Sequence, residues 1–336
     1  MKKRFSLLFS SRWLRVVVGI LISGLAIYLA LINVDLPQIW DSIKKIRLVY
    51  VLFGLLSVSI NNLSKSIRWK VLAGQPGKDI TQAKYFALFL VGQMLNTIFP
   101  GRIGDLGRAY VLGGLGPGRT YILGTIVIEK VIDSLSYTML FLFLLLLIPL
   151  PEWVGQSLNF FGGVTILITM GVILLAYRRT ILLKLVHFFG GFLSSEWRHR
   201  ILPRIEAGLT SLDILQDRFA LAKAGFWTLL IWGTAILNNH LVLQAFGLDL
   251  PWTASLLILV ALQAGISIPA VPGKIGIFEY ICILALTVYG VDQALALSYG
   301  LVLHGLVFIP TTLAGLIVFW GLGLVGERKK FQEGVV

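Results

Sequence analysis

Polar residues are sparse along this chain, and they separate long apolar runs at roughly 13–32, 48–64, 81–99, 120–150, 157–177, 221–247, 251–271, 277–290 and 293–325. An α-helix needs ~20 apolar residues to cross a bilayer, and lipid admits only helices or closed barrels. The pattern therefore predicts an all-α polytopic membrane protein forming one transmembrane domain over 1–336. The run at 13–32 follows basic residues as a signal peptide would. It is long, however, and lacks a small-residue cleavage site before Asn33, so it reads as a retained anchor.

Charge in the loops orients the runs. Lys2, Lys3, Arg4, Arg12 and Arg15 precede the first run, Lys65, Arg68, Lys70 and Lys78 follow the second, and seven arginines and lysines lie between Arg178 and Arg218. These segments and the terminal "ERKK" belong on the cytoplasmic side. "PEWVGQ" (151–156), "GLDLP" (247–251) and "GVDQ" (290–293) hold no cation and read as external, while Lys44, Lys45 and Arg47 fit this topology less well. Residues 81–115 then start and finish in the cytoplasm, so the chain turns back within the membrane. Residues 277–290 reach only ~21 Å at ~1.5 Å per residue, short of a ~30 Å core, so 251–290 turns back from the outer face. The expectation is about six full spans plus two re-entrant hairpins in an inverted repeat, in the cell (inner) membrane with both termini cytoplasmic.

Each hairpin breaks at the same pentapeptide, "PGRIG" at 100–104 and "PGKIG" at 272–276. Pro100 and Pro272 end their incoming helices, while Gly101, Gly104, Gly273 and Gly276 permit tight turns and close approach. Broken helices of this kind meet near the midplane of transporters and form the substrate site. Arg102 and Lys274 add a cation to a helix start whose N–H groups are expected to be unpaired, which suits an anion such as phosphate. The alternative is a pair of kinks whose cations snorkel to the interface.

Other polar residues gather around these breaks. Asp105 and Arg108 share a helix face and can pair, and Glu279 is placed to offset Lys274. Glu129, Lys130 and Asp133 interrupt the run at 120–150, with both carboxylates on one face, in need of cations such as Arg102 or Arg108. They form a substrate site or a structural ion network. Asn96 and Gln93 precede the first break, Gln263 and Ser267 the second, and Asn238, Asn239, His240 and His304 lie inside runs. Arg68 and Trp69 read as an interfacial anchor, and 178–220 as amphipathic helices on an anionic leaflet.

Composition sharpens this reading. With 57% hydrophobic and 13% charged residues, the +13 net charge points to anionic lipid headgroups and not to nucleic acid. A single cysteine, Cys282, excludes an internal disulfide framework. Nucleotide-binding, metal and hydrolase motifs are absent, so neither a cofactor nor an enzymatic activity is expected. Acid–base chemistry on lipid through Glu129, Asp133 and His304 stays open.

"NTIFPGRIGDLGRAYVL" (96–112), "EKVID" (129–133) and "PAVPGKIGIFE" (269–279) resemble the three signature regions of the lysylphosphatidylglycerol synthase transmembrane-region family, which are flippase-like membrane proteins. The first region, N-x-x-x-P-x-R-x-G-E-x-x-R, is matched by Asn96, Pro100, Arg102, Gly104 and Arg108, with Asp105 for Glu. The second, E-R-x-x-D, is matched by Glu129 and Asp133, with Lys130 for Arg. The third is a Pro/Gly-rich turn followed by Glu, matched by Pro269, Pro272, Gly273, Gly276 and Glu279, and Lys274 stands where members often have Gly. The resemblance implies a lipid flippase or scramblase for an anionic or phosphate-bearing lipid: a phospholipid, an aminoacyl-phospholipid or a polyprenyl phosphate. Arg102, Arg108 and Lys274 would receive the headgroup, and Glu129, Asp133 and Glu279 would balance those charges or bind an amino group. Full-length synthases of this family continue into an aminoacyltransferase domain, so a chain ending at Val336 is expected to be the translocating part alone. A separately encoded lipid synthase or glycosyltransferase is the candidate partner. A non-transporting scaffold and an intramembrane lipid-modifying enzyme are the competing classes. Reporter fusions should place residue 118 inside and residue 291 outside, and the reverse at either position would break the topology.

Overall fold

The computed structural model describes residues 19–32, 34–99, 101–148, 195–265 and 271–321, with isolated positions between 163 and 171. Among these residues the fold is helical throughout, without a strand. The helices are α1 (Gly19–Leu31), α2 (Leu36–Lys44), α3 (Leu48–Ala73), α4 (Gln82–Ile98), α5 (Ile103–Gly113), α6 (Arg119–Leu147), α7 (Ser195–Thr210), α8 (Arg218–Ala245), α9 (Trp252–Gly265), α10 (Ile277–Thr287) and α11 (Gln293–Gly321). Four of them, α3, α6, α8 and α11, are long and apolar enough to cross a membrane, and the bent pair α1–α2 makes a fifth if counted as one span. These match the apolar runs read from the sequence. The run at 157–177, together with Pro100, Ser267 and Pro269, lies outside the described residues.

Surface and interior follow lipid logic. Leu146 is 85% exposed and Phe219 82%, positions that water would penalise and acyl chains would not. The interior by contrast holds Arg68, Asp105, Arg108, Glu129 and Glu279.

The chain divides into two compact units. One comprises 1–60, 97–101 and 233–311, and the other 61–96, 102–232 and 312–336. In the first unit, α1 is tied to α11 where Gln293 donates to the carbonyls of Leu29, Ala30 and Ile32, three acceptors otherwise left over at a helix end. Ser23 of α1 accepts from Val271 N–H at 3.1 Å, seating the turn that precedes α10. Gly276, at φ +88°, lies against Ser23 and Ile27, leaving no room for a side chain.

In the second unit, a core of Trp69, Tyr85, Leu88, Phe89, Leu112, Tyr121 and Ile122 joins α3, α4, α5 and α6. Trp69 donates to Thr125 at 3.2 Å and Tyr121 to the Ala73 carbonyl at 3.1 Å, so the polar tips of these rings are satisfied. Gly208 at the end of α7 and Ser211 pack against Gly124 of α6, and Ser211 and Leu212 are buried. The amphipathic reading of 178–194 falls outside the described residues.

Helices α4 and α5 form a tight pair because glycines meet where they cross. A Cβ on Gly104 would collide with the Gly92 carbonyl, whereas one on Gly107 would meet only Leu95 at 3.7 Å. Gly104→Ala is expected to destabilise the protein by about 1–3 kcal/mol, the usual range for overpacking, while Gly107→Ala stays near wild type. Thermal unfolding of both variants in one detergent checks this, and equal melting temperatures would refute the close crossing.

Candidate functional site

The two pentapeptides share a backbone as well as a sequence. Gly101 and Arg102 have φ of +84° and +54°, and Gly273 and Lys274 have +72° and +62°. Arg102 and Lys274 are the two non-glycine residues with positive φ among the described residues. An L-residue held there costs on the order of 1 kcal/mol. At position 274 the chain keeps a cation in a conformation that glycine adopts freely. The turns diverge afterwards. Ile103 opens α5 directly, whereas Ile275 is extended and Gly276 turns the chain again before α10.

The expectation of unpaired N–H groups at these helix starts is corrected. Asn96, one turn beyond Gly92 on α4, reaches across the crossing. Its Oδ1 accepts from Gly104 N–H at 2.8 Å and Asp105 N–H at 3.3 Å, and its Nδ2 donates to Asp105 Oδ1 at 3.2 Å. At the second break, Glu279 Oε2 accepts from Gly276 N–H at 2.7 Å. An amide and a carboxylate from the protein thus serve as the caps an exposed helix would take from water. The other carboxylate oxygen, Oε1, lies 2.5 Å from His304 Nδ1. Arg102 is exposed and Lys274 partly so.

Beyond the first break an ion network fills the second unit. Arg108 Nη2 lies 3.0 Å from Asp105 Oδ1 and donates to Glu129 Oε1 at 3.1 Å. Its guanidinium also sits 4.6 Å from the Trp69 ring centre, a cation–π contact. Lys130 Nζ is 3.5 Å from Asp105 and 3.6 Å from Glu129. Asp133 takes a different cation from the one expected: Arg68 Nη2 donates to it at 2.6 Å, while Arg68 Nη1 donates to Thr228 at 3.1 Å. Lys65, one turn earlier on α3, interacts electrostatically with Asp133 and Glu129. The network formally holds four cations and three carboxylates.

Not all of its hydrogen-bonding capacity is used. Arg108 Nε and Nη1, Arg68 Nε and Glu129 Oε2 are buried without a hydrogen-bond partner among the described residues. Buried groups of this kind are uncommon and costly, at roughly 1–3 kcal/mol each.

The reading of Arg68 and Trp69 as an interfacial anchor is therefore corrected, since both are fully buried. A Trp beside Arg at the basic end of an apolar run suits a membrane interface equally well. The signal for the other outcome was Asp133, since Lys130, three residues earlier on α6, lies beside Asp105 and Glu129 and leaves this carboxylate to a cation from another helix. Asp105, Arg108, Glu129 and Lys130 come together as the sequence suggested.

An all-helical membrane fold with a buried Arg–carboxylate network defines the class. The model of the lysylphosphatidylglycerol synthase TM region matches residues 16–315, and the chain belongs to that family. It is 22% identical over 290 residues to the UPF0104 membrane protein PH1989 of Pyrococcus horikoshii, covering 80% of this chain and 86% of the relative. It is likewise 22% identical over 325 residues to a UPF0104 membrane protein of Methanothermobacter thermautotrophicus, covering 91% and 92%.

Arg68→Met should destabilise the protein by about 2 kcal/mol, below the 3–5 kcal/mol typical of fully buried pairs because the Asp133 side chain is 28% exposed. Adding Asp133→Leu should recover most of the loss. A double-mutant cycle on thermal stability tests this, and strict additivity would mean that the pair contributes nothing.

Proposed function

We propose that the protein binds the anionic headgroup of a membrane lipid at Arg108 and Lys130 and carries that lipid between leaflets, without catalysing a reaction. The observation that carries this reading is Arg108, whose side chain is fully buried yet keeps two nitrogens, Nε and Nη1, without hydrogen-bond partners among the described residues, beside a partly exposed Lys130. A phosphate diester supplies the acceptors those donors lack. Lys130, 35% exposed, is the cation a headgroup would meet first. Charge buried in a membrane protein is a functional hypothesis by default. Arg102, in the break that opens α5, would receive the headgroup on its way to and from this network, Lys274 would offer a cation at the other break, and Asp105, Glu129 and Asp133 keep the network nearly neutral between passages.

The setting that goes with this reading is the cell membrane, with both termini cytoplasmic and the lipid supplied or used by a separately encoded synthase or glycosyltransferase. The family's name, which refers to a synthase, favours a second reading in which the chain holds lipid for such an enzyme without moving it.

Reconstitution into phosphatidylcholine vesicles carrying a trace of fluorescent phosphatidylglycerol separates the two. Wild type is expected to move the anionic lipid faster than a fluorescent phosphatidylcholine. Lys130→Gln at equal incorporation should lose about tenfold, equivalent to about 1.4 kcal/mol. Binding of phosphatidylglycerol without movement would favour the scaffold, and neither binding nor movement would reject the headgroup site.

A further inference from the structure

The headgroup reading uses the donors of the second unit and leaves one acceptor over. Among the described residues of the network, three buried nitrogens lack a hydrogen-bond partner, Arg68 Nε and Arg108 Nε and Nη1, and so does a single buried oxygen, Glu129 Oε2. A phosphate diester answers the nitrogens. It does nothing for the oxygen, because its own oxygens are acceptors too.

Glu129 Oε1 accepts from Arg108 Nη2 at 3.1 Å, so Oε2 and Nη1 each sit two covalent bonds from that contact. The pair is joined by one bond and not by the two parallel bonds that Arg and carboxylate commonly form, which leaves one acceptor and one donor of the fork unused. Arg108 is also held by Asp105 at 3.0 Å and by the Trp69 ring at 4.6 Å. The Arg108 and Glu129 side chains are 0% and 3% exposed. Lys130 is the open member: its Nζ lies 3.5 Å from Asp105 Oδ2 and 3.6 Å from Glu129 Oε1, and it is 35% exposed.

What can donate to Oε2 is constrained by the charges around it. Glu129 lies against Arg108 and Lys130, and the charge of Arg68 acts on it as well. A further ammonium would be repelled by all three. A hydroxyl donates to the carboxylate without adding a charge.

We propose that Glu129 Oε2 accepts a hydrogen bond from a neutral hydroxyl of the headgroup, so that the site selects a phosphate diester of a hydroxylated alcohol over one bearing an amine or no donor. The inference rests on the anionic-headgroup reading above and gives that reading its substrate class. The phosphate takes the free nitrogens of Arg108, and Lys130 meets it from the exposed side. A hydroxyl on the carbon beyond the ester carbon reaches the neighbouring carboxylate oxygen while the phosphate stays on Arg108. Only hydrogen bonds form and break. Glu129 then sets which headgroup is accepted, in addition to balancing charge.

The test uses the full chain in phosphatidylcholine vesicles with a trace of one tail-labelled lipid: phosphatidylglycerol, phosphatidylmethanol or phosphatidylethanolamine. The first two carry the same negative charge and differ in the hydroxyls, while the third presents an ammonium. Wild type should move phosphatidylglycerol about tenfold faster than phosphatidylmethanol, the size of one hydrogen bond to a charged group, and phosphatidylethanolamine slowest. Glu129→Gln keeps an oxygen for Arg108 and puts an amide nitrogen in place of Oε2, so it should bring the two anionic lipids within about twofold of each other. That readout is a ratio within one preparation, so poorer incorporation of the variant does not alter it. Binding of short-chain forms of the same lipids to the wild-type protein in detergent gives the order without transport and without a variant.

Equal handling of phosphatidylglycerol and phosphatidylmethanol, both ahead of phosphatidylethanolamine, would overturn the hydroxyl acceptor and leave the anionic-headgroup reading standing. Phosphatidylethanolamine matching phosphatidylglycerol would overturn it in favour of an ammonium on the same oxygen. Preferential binding of phosphatidylglycerol over phosphatidylmethanol without movement would support the acceptor and reject transport. Neither binding nor movement of any of the three would reject both readings.

Discussion

A helix broken inside an apolar layer exposes N–H groups that lipid cannot satisfy, and everything around the two pentapeptides answers that requirement. At the first break the answer is Asn96, and at the second it is Glu279. The first depends on glycines that let two helices approach, Gly104 against Gly92, with the polar contact one turn further along α4, whereas the second is local, three residues along its own helix. At the first break packing and hydrogen bonding are thus one device, since a bulkier residue at the crossing would withdraw Asn96 from the break.

The same requirement explains why charge is buried so heavily in the second unit. Asp105, already held by Asn96 through its side chain and its N–H, fixes one face of Arg108, and Glu129 of α6 fixes another. Trp69 supports the guanidinium from α3. Four helices therefore converge on one side chain, and its geometry is determined by packing as much as by charge. Such a network is preorganised, which lowers the ordering cost that a bound headgroup would otherwise impose.

Much of this was legible in the sequence, for definite reasons. Long apolar runs constrain helices strongly, so α3, α6, α8 and α11 fall where hydropathy places them. Proline and glycine mark the breaks, and spacing alone brings Asp105 to Arg108. What could not be read was tertiary partnership. Asn96 could be placed just before the first break and no further, because nothing in its own helix says that its carbonyl oxygen will cap another. Arg68 and Asp133 are 65 residues apart, and only the folded chain brings them to 2.6 Å. His304 showed no partner within its helix, since the glutamate it meets belongs to α10. The division into two units was also invisible, because four of its five boundaries fall inside continuous helices, where composition does not change.

The left-handed conformation of Arg102 and Lys274 sets stability and chemistry against each other. Glycine at either position would relax the backbone while deleting a cation. A selection for heat resistance would tend to favour that exchange, and a selection for anion handling would oppose it. The strained cations thus offer a way to distinguish what the chain retains for folding from what it retains for work, because at these two positions the demands have opposite signs.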